Sequence, residues 1–432
     1  MSPIIVGLLG FAVLLLLIFL HLPIGFAMAL VGFAGIAYLT SIETALGNIG
    51  SQVFGTIHSY DMAVVALFIL MGELAFNAGI SGAAYRAAFK WLGHLRGGLA
   101  MATVVACGAF AAVTGSSPAT AATMGGIALP EMKKYGYDDS LATGSVAAGG
   151  TLGILIPPSA GLILYGILTE QSIGDLFIAG ILPGVVLVIL FVATVYVVVK
   201  LKPGAASSAP PSSLREKLAS LSGFGEVAVL FILVIGGLIA GYFTPTEAGG
   251  VGAIGVLVIG LVKRNLNLEK LSHAVKQATR MAAMILIILV GAMVFTRFLA
   301  LSTLPFRLGE LVGQLPLPPT GILAMVLLTW LVLACVMDAI AMIVLTVPIF
   351  FPLISALGFD PIWFGIITVM MIEMGLITPP IGLNVYIING VAKDVPMHVI
   401  FRGVVPYLIA MVIGLIMVVV FPQIALFLPG IT

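Results

Sequence analysis

The sequence predicts an all-helical polytopic membrane protein built from two inverted-topology repeats. Each repeat holds a re-entrant hairpin and a helix broken by a proline doublet. Three observations carry this prediction. The first is composition: of 432 residues, 61% are hydrophobic and 8% charged, against about 25% charged in soluble domains. Mean hydropathy is +1.26, and apolar runs long enough to cross a bilayer recur along the chain. Lipid offers no partner to free backbone groups, so spans must be helices or a closed barrel. Barrel strands alternate apolar and polar residues, and these runs do not. The second observation is a pair of apolar segments broken by Pro-Pro, GILIPPSAG at 153–161 and GLITPPIG at 375–382. The third is that these doublets belong to an internal repeat with an offset of 222 (379 − 157).

In chain order the expected spans are 2–20, 22–40, 62–80, 141–169, 176–200, 226–243, 246–263, 281–299, 361–390 and 403–421. The first apolar run lacks the basic start and small-residue cleavage pattern of a signal peptide. Two further apolar stretches, 98–130 and 319–353, are interrupted by TGSSPAT at 114–120 and VMDAIAM at 336–342. Each reads as a re-entrant hairpin with its tip near the membrane midplane, or else as two ordinary spans with a small loop. The stretch 202–217, rich in Pro, Ser and Ala, reads as a solvated linker. The domains are therefore 1–200 (first repeat), 201–222 (linker) and 223–432 (second repeat), with broken helices at 141–169 and 361–390.

At the same offset Pro23 matches Pro245, Pro130 matches Pro352, and GYD at 136–138 matches GFD at 358–360. Gly153 matches Gly375, and Ser116 stands opposite Asp338. GILP at 180–183 recurs as GVVP at 403–406 after a small length change. Chance prolines do not hold register over such a distance.

Lys and Arg set the orientation. With Lys200, Lys202, Arg215 and Lys217 in the cytoplasm, all other basic residues except Arg297 and Arg307 fall on the same side. The outer loops 41–61 and 170–175 hold Glu43, Asp61, Glu170 and Asp175 and no Lys or Arg. This count requires each hairpin to add no net crossing. Each half then crosses five times, which inverts the second half and leaves both termini outside. Paired broken helices in inverted repeats are a transporter architecture.

Proline lacks an N–H and clashes with the preceding turn. A doublet below a glycine therefore unwinds the helix and frees backbone groups, tolerable at membrane depth only where they are buried or line a cavity. Freed carbonyls suit a hard cation such as Na⁺. The half-helix N-termini near 159 and 381 suit an anion. Thr114, Ser116 and Ser117 add hydroxyls, and Gly115 allows close approach. Thr378 adds a hydroxyl beside the second break, with Asn384 one turn below. The small residues of the tip also suit plain helix packing. Asp338 reads equally as cation ligand, proton carrier or helix N-cap. Glu73, Glu373, Glu247 and Arg297 lie in or near apolar runs, and such charges are functional candidates unless the bundle interior or a snorkelling stem satisfies them.

Other functions are excluded by what the sequence lacks. A net charge of +1 gives no nucleic-acid signal. Cys107 and Cys335 read as free thiols, and the five histidines are scattered without ligand spacing. GHLRGG at 93–98 follows no strand, so it is no phosphate loop. No convergent nucleophile, base or metal set points to an enzyme.

The chain resembles the large membrane subunit of tripartite ATP-independent periplasmic (TRAP) transporters, the DctM-like family. The resemblance runs through ALFILMGELAFNAGIS at 66–81, LRGGLA at 95–100, TGSSPATAATMGGIALPEMKKYGYD at 114–138 and GTLGILIPPSAGLILYG at 150–166. It continues through SIGDLFIAGILPG at 172–184, TPTEAGGVGA at 244–253 and GLITPPIGLNVYIINGVAKDVP at 375–396. It implies an elevator-type, Na⁺-coupled importer of an organic acid such as a C4-dicarboxylate, keto acid or sialic acid, in a bacterial inner membrane. It implies a periplasmic (DctP-like) binding protein and a small four-helix (DctQ-like) membrane subunit, here expected as a separate chain. One Na⁺ site would take Thr114, Gly115, Ser116, Ser117, Gly153 and Pro157. The other would take Met337, Asp338, Ala339, Gly375, Thr378 and Pro379. Ser117, Pro158, Ser159, Pro380 and Asn384 would face the solute. The moving part would hold 98–169 and 319–390, and the remaining spans would be scaffold. Thr114 stands where the family pattern has Ser before the Gly. The competing reading is a stand-alone ion-coupled carrier for citrate-like or inorganic anions, with no binding protein.

Overall fold

The computed structural model describes residues 1–313 and 316–431, and among them all regular structure is helical. Seven helices are long and apolar enough to cross a membrane, and a bent pair, Ile42–His58 with Asp61–Asn77 at 53°, passes the same test together.

The chain begins with Pro3–Phe19 and Ile24–Leu39. The stretch 41–61, read as a loop, is largely the helix Ile42–His58, because the Ser41 hydroxyl accepts the Thr44 N–H at 3.1 Å and starts it. Asp61–Asn77 and Ile80–Leu92 follow. The first hairpin is Gly98–Thr114 and Ser117–Lys134. The first broken helix is Asp139–Gly150, Leu152–Leu155 and Ala160–Thr169, and Ile173–Leu201 closes the half.

The linker departs from expectation twice. Its second part is helical from Leu214, because Ser213 and Glu216 form a reciprocal capping box. Its first part is exposed over most of its length, as expected for a solvated linker, but is also anchored to the helical body. Ala205, Ala206 and Ala209 are buried, the Ala205 carbonyl accepts the Asp138 N–H, and the Gly93 carbonyl accepts the Ala209 N–H. Ser207 donates its hydroxyl proton to the Tyr135 carbonyl.

The second half holds Leu214–Phe231, extended through a π turn to Ile239, then Pro245–Val262 and Leu268–Ser302. Glu247 completes a capping box with Thr244 and is exposed at a helix start, so it needs no functional role. After Leu304–Gly313 come the second hairpin, Pro319–Ala334 and Ala339–Ala356, and the second broken helix, Pro361–Gly375 and Leu383–Val391. Met397–Val420 is the last long helix.

The sequence offset reappears in these elements. The second hairpin arms, Ser117–Lys134 and Ala339–Ala356, are both 18 residues long and start 222 apart (339 − 117). Asp138 and Asp360 cap the helices that follow. Both proline doublets are joined by a cis peptide bond.

Two cores organise the packing. A smaller one unites Leu14, Met28, Phe295 and Phe298, binding the first two helices to Leu268–Ser302. The larger one runs through the hairpins and broken helices. Met397–Val420 and Ile173–Leu201 join the latter. A Cβ on Gly403 would stand 1.9 Å from the Ser140 carbonyl oxygen, and one on Gly180 would stand 2.8 Å from that of Leu155. Glycine at these crossings lets the helix backbones approach closely.

Candidate functional site

Each hairpin tip is made by a helix stop followed at once by a new cap. Gly98–Thr114 ends at Gly115, whose φ of 62° is left-handed. Ser116 is extended, and its hydroxyl accepts the Ala119 N–H at 3.4 Å, with Pro118 in the first turn. In the second hairpin Asp338 does the same: Oδ1 accepts the N–H groups of Ile340 and Ala341 at 3.0 and 3.1 Å. Of its three possible roles, capping is directly visible. The exposed carboxylate also lines the main cavity.

Pro157 and Pro158 leave the carbonyls of Gly153 and Ile154 without a donor four residues on. Ser159 donates to the Ile154 carbonyl and accepts the Leu162 N–H at 3.1 Å, bridging the break. In the second break, Thr378 N–H reaches the Gly375 carbonyl at 3.1 Å and Asn384 N–H reaches that of Leu376 at 2.9 Å. The Thr378 hydroxyl donates to the Met374 carbonyl at 2.6 Å. Pro157 and Pro158 are buried, whereas Pro379 and Pro380 are exposed.

The first tip and first break interlock. A Cβ on Gly115 would stand 2.6 Å from the Pro158 oxygen, and one on Gly153 would stand 2.6 Å from the Ser116 carbonyl carbon and oxygen. Ala160 N–H reaches the Gly115 carbonyl at 3.4 Å. In the second half, Gly375 packs on Ala334, at the base of the second tip, with a notional Cβ–Cβ separation of 2.1 Å. The first tip thus touches the first break, and the second break meets the hairpin arm just before the second tip.

Tips and breaks converge on a cavity of about 580 Å³. Thr114, Gly115, Ser116, Asp338 and Ala339 line it, joined by Ile154, Ala160, Gly161, Leu376 and Leu383 from beside the breaks. The opposite wall comes from Asp61–Asn77 and Leu268–Ser302, through Glu73, Phe76, His273, Gln277 and Met281. Gly153, Pro157, Pro158, Met337, Gly375, Thr378, Pro379 and Pro380 lie outside this lining.

None of the five residues expected to face the solute (Ser117, Pro158, Ser159, Pro380 and Asn384) lines the cavity. Ser117, Ser159 and Asn384 are fully buried. Ser117 donates to Glu373 Oε1 at 2.7 Å, Ser159 bridges its own break, and the Asn384 amide donates to the Ala147 carbonyl at 3.4 Å. The helix turns place these groups inward, where buried polar atoms need partners from the protein.

The structure also adds residues. His273 and Gln277 join the site from a helix far along the chain, and no sequence signal marks them. Glu73 was visible as an intramembrane acid, but only folding puts it on the cavity wall. Glu373 is satisfied in part by the interior: Oε2 is buried and has no hydrogen-bond partner. Among the described residues, no group of three or more His, Cys, Asp or Glu could hold a metal ion.

A helical membrane protein whose polar hairpin tips and broken helices meet at one cavity has the construction of a solute transporter. The family model described as "Tripartite ATP-independent periplasmic transporter, DctM component" matches residues 11–424, and the chain belongs to this family, one of transport permeases rather than enzymes. The C4-dicarboxylate TRAP transporter large permease protein DctM of Pseudomonas aeruginosa is 37% identical over 89% of this chain and 89% of its own length. The sialic acid TRAP transporter large permease protein SiaM of Vibrio cholerae is 33% identical over 96% of each chain. The ectoine/5-hydroxyectoine large permease protein UehC of Ruegeria pomeroyi is 29% identical over 97% of each. The crystal structure of the Alcanivorax borkumensis YdaH transporter shares the fold, with a TM-score of 0.66 at 16% identity, covering 89% of this chain and 90% of that one.

Proposed function

We propose that this large permease subunit imports an organic acid in symport with Na⁺, by an elevator movement, in a bacterial inner membrane with both termini periplasmic. The observation that carries the reading is the cavity in which both tips and the flanks of both breaks meet, walled on the far side by Asp61–Asn77 and Leu268–Ser302. The donor set beside it fits a hard cation. At the first tip it is hydroxyls and carbonyls, including the Gly153 carbonyl left free by Pro157; at the second, the Asp338 carboxylate stands close by. The solute would lie in the cavity against Ser116 and the start of the half-helix at Ala160, whose amides and dipole favour an anion. Ser117, Ser159 and Asn384 would then shape the site from behind.

The moving body in this reading is larger than 98–169 and 319–390. Backbone contact at Gly403 and Gly180 supports including Ile173–Leu201 and Met397–Val420. The held linker would then connect the moving body to the scaffold. His273 and Gln277 lie beside Lys270, Lys276 and Arg280, and Glu73 lies near the end of its helix before Arg86. With these basic residues in the cytoplasm, the cavity faces inward. The relatives are named for a C4-dicarboxylate, sialic acid and ectoine, each a carboxylate-bearing solute, which supports an organic acid as the cargo class. A small membrane subunit and a periplasmic binding protein complete the proposed assembly.

The test is uptake by proteoliposomes holding the three components, with an imposed Na⁺ gradient. Uptake is expected to collapse when choline replaces Na⁺ at fixed pH. Equal uptake in the two salts refutes the coupling.

A further inference from the structure

Glu373 sits in Pro361–Gly375, fully buried, and its one hydrogen bond comes from Ser117, 256 residues earlier in the chain. Each end of that bond leads into a different tip and break. Ser117 opens the helix that follows the first tip, and its neighbour Ser116 abuts Gly153 at the first break. Two residues beyond Glu373, Gly375 abuts Ala334 at the base of the second tip and precedes the second break. Among the described residues, no other side-chain hydrogen bond joins a tip residue of one half to the broken helix of the other. Simple packing does not account for the residue. A carboxyl with one oxygen buried and unpaired is costly, and an apolar side chain of similar volume would fill the space without that cost.

We propose that Glu373 is a positioning residue that couples the two cation sites. Ordering of Ser116 and Ser117 at the first site fixes the Glu373 carboxyl, which holds the helix end at Gly375 and so pre-orders the second site. Linkage makes the effect reciprocal. This inference rests on the sodium reading above and goes beyond it by naming the connection between the sites.

The experiment measures thermal stability of the full chain in lipid nanodiscs against Na⁺ concentration, with choline holding ionic strength constant. Wild type is expected to show a Na⁺ response steeper than single-site binding. Glu373→Gln keeps an acceptor for Ser117 and is expected to retain that steepness. Glu373→Met removes the bond: the response should flatten to single-site form, and the midpoint should rise about five- to hundredfold, the loss expected when a buried donor is left without its acceptor. Its stability without Na⁺ should stay at or above wild type. If Glu373→Met does not fold, Glu373→Asp, which shortens the reach by one methylene, is expected to flatten the response instead. A folded Met or Asp variant with wild-type steepness and midpoint overturns the coupling while leaving the sodium reading intact. A wild-type protein indifferent to Na⁺ overturns both.

Discussion

Replacing Gly153 by alanine tests whether the first tip is seated on the first break. The added Cβ would stand 2.6 Å from the carbonyl carbon and oxygen of Ser116 and 2.7 Å from the Ser117 nitrogen. All three are backbone atoms of the tip, so no side chain can swing aside. Either the tip lifts off the break or the break backs away, and each distorts the proposed first cation site. Overpacking of this kind costs about 1–3 kcal/mol. Gly153 is helical, so alanine should otherwise gain about 0.5–1 kcal/mol from reduced backbone entropy in the unfolded chain. Gly126→Ala is the matched control. It lies on the helix after the same tip and has nothing within 4 Å of the notional Cβ. The entropic gain is common to both variants, so they should differ in stability by the overpacking cost alone, about 1–3 kcal/mol. In Na⁺ titrations of thermal stability, Gly153→Ala should need about tenfold or more Na⁺, and Gly126→Ala should match wild type. Paired measurements in detergent or nanodiscs with and without Na⁺ separate the two effects. A Gly153→Ala protein as stable as Gly126→Ala and with unchanged Na⁺ response would show that tip and break are not in contact as described.

Two further perturbations divide roles that the structure superimposes. Asp338→Asn keeps a good N-cap and removes the charge, whereas Asp338→Ala loses both capping bonds. The alanine variant should lose about 0.5–2 kcal/mol in a chemical or thermal melt and the asparagine variant almost none. If Asp338→Asn nevertheless abolishes Na⁺-dependent uptake, the charge serves the transported ions; if uptake is unchanged, capping is its whole role. Cysteines at Gly174 and Leu238, whose notional Cβ and Cδ2 are 2.8 Å apart, bridge the proposed moving body and the scaffold. A short bifunctional crosslink there should stop uptake, while one between Gly108 and Val188 should be harmless. Stopped uptake from the second pair would return Ile173–Leu201 to the scaffold.

The sequence by itself determined whatever is written in local chemistry or in repetition. Run length and apolarity located the spans because a bilayer imposes both. Ser213–Glu216 and Thr244–Glu247 carry the local capping pattern, although the first lies in a stretch that reads as linker and Glu247 reads as a charge beside an apolar run. The offset of 222 paired the tips, the caps at Ser116 and Asp338, and the two breaks, since a duplicated half repeats its polar interruptions in register. Tertiary structure alone decided which way those polar groups face. Ser117, Ser159 and Asn384 have the right chemistry for a solute and sit at the right breaks, yet each spends its polar atoms inside the protein. That choice depends on the rotation of one helix against another, which no short pattern encodes. The same holds for His273 on the cavity wall, for the linker held by Gly93 and Tyr135, and for Ser117 meeting Glu373 across 256 residues. Such contacts arise where packed bodies meet, and their partners are set by the fold of the whole chain.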